Sequence, residues 1–224
     1  DPEVLLRPAG PTDPDLTVLS VRDAATGRPL AVLANYALHY VGQIPKGRIS
    51  ADYFGEFARL MPSCLEADDG FVAALCNGAS GDINNRPLGS SRPPREPFEQ
   101  VGIVARKAAA AAARPCAGIG AHDGGATLGV VNREITLRRR RPTSEQIERA
   151  NAVLAITAEA ERAKLPRLAA DYARKILAHA KGEETLQVPL QAMRLGDLAL
   201  CAIPFEAFVE IGLEIKQRSP FART

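Results

Sequence analysis

The sequence predicts an α/β fold in which a mixed β-sheet is flanked by helices. Short apolar runs bounded by Gly, Pro, Asn and Asp are typical of strands. They alternate along the chain with longer amphipathic and alanine-rich stretches, which are typical of helices. The chain has 224 residues, enough to bury a substantial core, and we expect residues 1–224 to form a single domain.

The strand signals are clearest in the N-terminal half. Leu16–Val21 alternates as a strand does, and Leu30–His39 (LAVLANYALH) is a long apolar run that predicts a buried strand with a histidine at its end. Ser50–Asp52 is typical of a helix start, because Ser and Asp side chains cap free backbone amides. That helix should run to about Ala67. A further short strand, Phe71–Cys76 (FVAALC), leads into a polar loop.

The C-terminal half adds helices and a hairpin. Its hairpin signal is Leu195-Gly196-Asp197 between two apolar runs. The predicted elements are, in chain order, a helix at Phe98–Arg114 ended by Pro115, a strand at Leu128–Leu137, helices at Ser144–Lys164 and Pro166–Lys181, strands at Gln187–Arg194 and Leu198–Ile203, and a last helix from Pro204 to about Arg218.

The charge balance excludes several classes of partner. Lys and Arg number 28 against 26 Asp and Glu, so the net charge is only +2, which argues against a nucleic-acid coat or a polybasic membrane protein. The run Arg138–Arg141 has no interleaved aromatics and is typical of a solvated edge, so we expect no nucleic-acid partner. No apolar stretch is long enough for a transmembrane segment. The sequence does not indicate an oligomeric state.

The four cysteines show no CxxC spacing, which excludes a zinc ribbon or a thioredoxin motif. Their even number permits two disulfides. Cys76 and Cys201 lie in apolar runs that resemble core strands, however, so we expect free, buried thiols.

Three polar motifs follow the carboxyl ends of apolar strands. His39 ends LAVLANYALH, the loop Asn77–Asn85 (NGASGDINN) follows FVAALC, and Glu206 follows LALCAIP. Open α/β sheets place ligands at that edge. If the strands are neighbours, an imidazole, a Gly-rich loop and a carboxylate converge there.

Each of these residues also has a structural interpretation. A histidine that ends a strand is usually a hydrogen-bonded structural residue. A carboxylate such as Glu206, at the predicted first turn of a helix, is favoured by the helix dipole. A His and a Glu together suit zinc, but a catalytic zinc needs three protein ligands, and His122 and His179 have no partner at metal-binding spacing.

The loop Gly78–Asn85 has the composition of an oxyanion contact. Its small residues allow tight turns that expose backbone N–H groups. Ser80 does not sit in the five-residue G-x-S-x-G elbow of a nucleophilic serine, so we expect it not to be a nucleophile. The alternative interpretation is a plain strand-to-loop turn.

Four segments together resemble the N-terminal catalytic domain of neutral/alkaline (non-lysosomal) ceramidases, in particular the bacterial ceramidase-like branch. They are NYALHYVG, ISADYFGEFARLM, FVAALCNGASGDINN and CAIPFEAFVEIGLEIK. The similarity extends from about Leu16 to Arg218. It implies a ceramidase-like N-terminal domain that is incomplete at both ends, and it favours a secreted or periplasmic location.

The resemblance implies zinc-dependent hydrolysis of an N-acyl amide. In the family, two histidines, a glutamate and a tyrosine hold one zinc, which activates the attacking water. His39 matches the second histidine and Glu206 the glutamate. The first histidine falls upstream of this chain and the tyrosine downstream of Thr224.

We therefore expect a zinc-dependent hydrolase of a small-molecule or lipid amide, with His39 and Glu206 as metal ligands. The family serine near the substrate amide aligns with Asn84. We take Asn84 and Asp82 as candidate catalytic residues and Gly81 as a candidate substrate contact, with loop amides or Asn84 stabilising the oxyanion. The alternative is a non-catalytic binding or structural relative that has lost the zinc ligands.

Overall fold

The structure, a computed structural model, describes residues 7–86, 93 and 95–224. Strands and helices alternate along these residues, which confirms the α/β class. The elements are β1 (Leu16–Arg22), β2 (Pro29–Tyr36), α1 (Asp52–Cys64), β3 (Val72–Asn77), α2 (Glu99–Gly118), β4 (Leu128–Arg138), α3 (Ser144–Ala155), α4 (Glu159–Arg162), α5 (Ala169–Lys181), β5 (Thr185–Leu195), β6 (Leu198–Ala202) and α6 (Val209–Arg218).

The strands form two three-stranded sheets, with orders β1-β2-β3 and β4-β5-β6. The chain also divides into two compact units. The first combines the part up to Val130 with Ala192–Thr224, and the second is Val131–Gln191. None of the helices in the described residues has the length and apolar character needed to cross a membrane.

The first sheet is mixed, as predicted. β1 runs antiparallel to β2, and β2 runs parallel to β3 with Tyr36 opposite Asn77. Parallel strands end at the same edge of a sheet. The segments that follow Tyr36 and Asn77 therefore start side by side, and these are the segments that carry His39 and the polar loop.

The core of the first unit lies between this sheet and helices α1 and α2, which also pack on each other. Large side chains of α1 meet small side chains of α2, so the two backbones can approach closely. The buried residues of these helices include Tyr53, Phe57 and Met61 of α1 and Ala105, Ala108, Ala109, Ala112 and Cys116 of α2.

Two helix predictions were wrong. Helix α2 continues through Pro115 to Gly118, because Pro115 lies in the last turn and costs only one backbone hydrogen bond there, while Cys116 remains buried in the core. The predicted helix Ser144–Lys164 is two helices. It is interrupted after Ala155 at Ile156 and Thr157, whose β-branched side chains disfavour helix.

The prediction for the two strand cysteines was also wrong in part. All four cysteines are free, but Cys76 and Cys201 are exposed and only Cys116 is buried. Cys76 lies on β3 and Cys201 on β6, and each of these is an edge strand of a three-stranded sheet. Each strand is fully buried at one position, Leu75 on β3 and Ala199 on β6, and the cysteines lie outside the covered part.

The hairpin between β5 and β6 turns at Gly196, whose φ of 59° is accessible to glycine at little cost. The last helix begins at Val209 rather than Pro204. Glu206 therefore lies in the connection between β6 and α6 and not in a first helical turn, which corrects the prediction.

Candidate functional site

The structure brings His39 and Glu206 together. Nε2 of His39 lies 2.5 Å from Oε1 of Glu206, although the two residues are 167 positions apart in sequence. The polar loop reaches the same place, because the N–H of Gly81 donates to the carbonyl oxygen of Ala207 at 2.8 Å. This confirms the predicted proximity of the three motifs. The three strands were expected to be neighbours in one sheet, however, and β6 belongs to the other sheet.

Backbone contacts on both sides hold His39. Strand β2 ends at Tyr36, so His39 lies three residues beyond it. The His39 N–H donates to the carbonyl oxygen of Ile83 in the polar loop. The hydroxyl of the fully buried Tyr53 donates to the carbonyl oxygen of Leu38 at 2.6 Å. The His39 side chain is 21% exposed, so its ring is largely enclosed while Nε2 reaches Glu206.

Asp52 holds the loop that follows His39. Its two carboxylate oxygens accept hydrogen bonds from the N–H groups of Val41 and Gly42, at 2.9 and 2.8 Å. Asp52 also accepts from the N–H of Tyr53 and has a φ of 52°, which is unfavourable for an aspartate. The sequence identified Asp52 only as a possible helix cap, and missed its contacts with the loop.

The backbone of Glu206 packs closely against Gly81 of the polar loop. A Cβ atom on Gly81 would lie 2.7 Å from the Glu206 carbonyl oxygen and 3.0 Å from its Cγ, so only glycine fits there without displacing Glu206. The Glu206 side chain is 69% exposed. The fold thus fixes the backbone of Glu206 and leaves its carboxylate open to solvent.

The other loop residues have defined structural contacts. Oδ1 of Asp82 accepts from the N–H of Val209 at 2.9 Å and so caps the start of α6, where the helix dipole favours a negative charge. The N–H groups of Gly81 and Ile83 both bond to backbone carbonyls, which leaves them unavailable to an oxyanion. Ser80 is 2% exposed, and its hydroxyl donates to Oδ1 of Asn77.

Described residues near this region line two cavities. Gly81 and Glu206 line the first, of about 330 Å³, together with Ser80 and an Asp13–Lys216 ion pair at 2.7 Å. Asn84 lines the second, of about 460 Å³. The structure therefore places Asn84 on a different cavity from Glu206.

The fold is similar to that of two solved structures. One is the neutral ceramidase from Pseudomonas aeruginosa, with a TM-score of 0.63 and 20% identity over 92% of this chain and 36% of that chain. The other is a ceramidase complexed with C2, with a TM-score of 0.59 and 17% identity over 92% of this chain and 38% of that chain. The chain has a ceramidase-like fold.

The ceramidase-like fold confirms the structural part of the resemblance drawn from the four sequence segments. The chain spans little more than a third of the length of either ceramidase. No family model and no curated protein matches the sequence.

His39 and Glu206 fit zinc in kind, since an imidazole nitrogen and a carboxylate oxygen are both zinc ligands. Two ligands are too few, however, because a catalytic zinc site uses three protein ligands. Among the described residues no group of three His, Cys, Asp or Glu side chains could hold a metal ion. Within this ceramidase-like fold, the described residues supply two metal donors.

Proposed function

We propose that the chain contributes to the hydrolysis of an N-acyl amide, of the ceramide-like lipid class, with zinc as cofactor. The observation that carries the proposal is the 2.5 Å contact between His39 Nε2 and Glu206 Oε1 in a ceramidase-like fold. An imidazole and a carboxylate from distant parts of the chain converge there beside a cavity. This arrangement is typical of a site and is not needed to form either sheet.

When bound, zinc would act as a Lewis acid and lower the pKa of a coordinated water. His39 and Glu206 would hold it. The buried Tyr53–Leu38 hydrogen bond and the two Asp52 bonds fix the backbone on either side of His39, so its ring is oriented before any ligand binds. Within the described part of the chain the Glu206 carboxylate is bonded to His39 alone, and it is exposed, so it can turn toward a ligand.

The oxyanion contact in this proposal falls to Asn84, which lines the second cavity while Glu206 lines the first, so the substrate would have to contact both. The N–H groups of Gly81 and Ile83 are already bonded, whereas the Asn84 side chain is exposed and borders a cavity. Its amide nitrogen can donate to a developing negative charge. Asp82 contributes by holding α6, and so the Glu206 segment, against the polar loop.

The alternative is a non-catalytic binding or structural domain on the same scaffold. It is favoured by one observation, that the described residues offer two metal donors and not the three of a catalytic zinc site.

The test measures hydrolysis of a long-chain fluorogenic N-acyl amide, together with zinc binding by calorimetry, in the wild-type chain and in His39→Ala and Glu206→Gln variants. Removing either donor should lower zinc affinity at least about tenfold and abolish the hydrolysis that zinc supports.

His122→Ala, His179→Ala and Glu210→Gln are matched controls, because these residues are exposed and, within the described part of the chain, form no hydrogen bond or ion pair with His39 or Glu206. They should behave as the wild type does. Equal zinc affinity in all six proteins would contradict the proposal. Zinc binding that depends on His39 and Glu206, without hydrolysis at saturating zinc, would favour the binding domain.

A further inference from the structure

We infer that the cavity along α2 binds a single hydrocarbon chain with a carboxylate head group, as in a long-chain fatty acid. We call this cavity the α2 groove. Its volume is about 460 Å³, within the usual range for ligand sites. All of its described lining belongs to the first compact unit.

The shape of the α2 groove suits an extended chain. Six residues of α2 line it, and they recur at helical spacing from Gln100 to Ala111, so they form one face of the helix over three turns. At 1.5 Å per residue this face is roughly 16 Å long. Aliphatic side chains line part of the wall, contributed by Leu16 and Leu38 on the sheet side and by Ile103, Val104, Ala108 and Ala111 on α2, and polar groups supply about as much of the lining.

Polar groups collect at the end of the groove that begins at Gln100. The side chains of Asn84, Asn85 and Arg95 line the cavity there, and Gln100 donates to Oδ1 of Asn85 at 3.2 Å. Among the described residues, the ion pair of Arg95 is a loose 3.7 Å contact with Glu99, which leaves donors for a ligand.

The charge of the lining selects the head group. Arg95 and Lys107 are cationic, and no acidic residue lines the groove within the described part of the chain. An anionic head group is therefore favoured over an ammonium group. A carboxylate also matches the planar, two-pronged donor geometry of arginine.

The inference deepens the proposed function and rests on it for its biological meaning. Leu38, which precedes His39, lines the α2 groove, and so does Asn84. A chain with its carboxyl carbon near Asn84 would lie against the backbone that carries His39. Hydrolysis of an N-acyl amide releases a carboxylate with this hydrocarbon tail and an amine, so the groove would accept the acyl half.

The experiment measures the Kd of dodecanoate for the 224-residue chain by titration calorimetry, below the concentration at which dodecanoate forms micelles. Dodecanol and dodecyltrimethylammonium are the neutral and cationic probes. Arg95→Gln should weaken dodecanoate binding about tenfold, as expected for a charge-assisted hydrogen bond, and leave dodecanol unchanged. Ala111→Trp, which fills the groove, should weaken both.

Arg106→Gln and Ala110→Trp are matched controls on the same helix, because both residues are exposed and neither lines the groove. They should leave all three Kd values unchanged. The inference is overturned if dodecanoate does not bind, if the cationic probe binds as tightly, or if groove and control variants behave alike. An active chain that fails to bind dodecanoate would refute this inference alone. Dodecanoate binding by a chain that neither binds zinc nor hydrolyses amides would refute the proposed function alone.

Discussion

Tyr53 donates a 2.6 Å hydrogen bond from its buried hydroxyl to the carbonyl oxygen of Leu38, one residue before His39. The packing of α1 is thereby coupled to the position of the candidate site. A helix residue that contacts no ligand fixes the backbone that presents the imidazole.

Tyr53→Phe should lower the free energy of unfolding by about 1–3 kcal/mol, because the ring still fills its place while the buried Leu38 carbonyl loses its partner. Urea denaturation measures this. The control is Tyr172→Phe, an exposed tyrosine on α5, which should change stability by less than about 0.5 kcal/mol. Equal effects of the two substitutions would show that the buried bond contributes nothing.

Comparing the wild type with Tyr53→Phe at different pH values gives a second test. Burial raises the pKa of Tyr53, so the folded chain keeps this proton at pH values where the unfolded chain, with an ordinary tyrosine pKa of about 10, loses it. The unfolded state then binds fewer protons, and stability falls as pH rises above about 10. The Tyr53→Phe variant should lose less stability than the wild type as the pH rises above about 10, because it lacks this titrating group.

Asp52→Ala should release the Val41–Gly42 loop and increase the mobility of His39, at a cost of about 1–3 kcal/mol in stability. Diethyl pyrocarbonate modification at fixed pH, followed by peptide mass mapping, should show faster carbethoxylation of His39. Asp23→Ala is the matched control. Asp23 likewise accepts from two backbone N–H groups, in the turn between β1 and β2 at the far end of the strand. A His39 rate raised equally by both substitutions would indicate general loosening.

Gly81→Ala should displace the Glu206 segment, since the new Cβ would lie 2.7 Å from a backbone oxygen. We expect a loss of about 1–3 kcal/mol in stability, as for other overpacked sites, and weaker zinc binding. Gly70→Ala serves as the control, because nothing lies within 4 Å of its Cβ position. Unchanged zinc affinity in Gly81→Ala would mean that the Glu206 position is not set by this contact.

Asp82 allows a structural role to be separated from a catalytic one. Asp82→Ala should lower stability by about 1 kcal/mol through loss of the α6 cap, while Asp82→Asn should retain the cap, because Asn caps helices about as well as Asp. If Asp82 acts only through the fold, Asp82→Asn keeps its amide hydrolysis. Full stability with hydrolysis lost would instead assign Asp82 to the chemistry.

Ser80→Ala should retain most of any hydrolysis. The Ser80 hydroxyl is buried and donates to Asn77, with no histidine among its described hydrogen-bond partners. A loss on the order of a thousandfold or more would show a covalent serine mechanism. Asn77→Ala, which removes the acceptor, separates that outcome from a disturbed loop.

The strands of the first sheet could be predicted from sequence because each is an apolar run between turn residues, and β2 and β3 differ from their predictions by only a few residues. The convergence of His39 with Glu206 was predictable from the four ceramidase-like segments, whereas the strand-end argument reached it on a wrong premise, that the strands are neighbours in one sheet. The assignment of β6 to a second sheet was not predictable, since strand pairing depends on contacts far apart in sequence.

The Asp52 contacts escaped sequence analysis for a local reason. A Ser-Ala-Asp run before a helix indicates capping, and the backbone partners of a capping carboxylate are visible only once the preceding loop has folded back. The exposure of Cys76 and Cys201 was missed because apolar runs predict burial on both faces of a strand, whereas in β3 and β6 only Leu75 and Ala199 are fully buried.

The first compact unit is built from two stretches of chain, with Val131–Gln191 inserted between them. The contact of His39 with Glu206 therefore closes a loop of 167 residues, and the entropy of closing such a loop delays contacts of this kind during folding. The segments that form α1, α2 and their sheet all precede Glu206 in the sequence, so they are synthesised before it. Formation of the candidate site therefore reports that the two separate stretches of the first unit have come together.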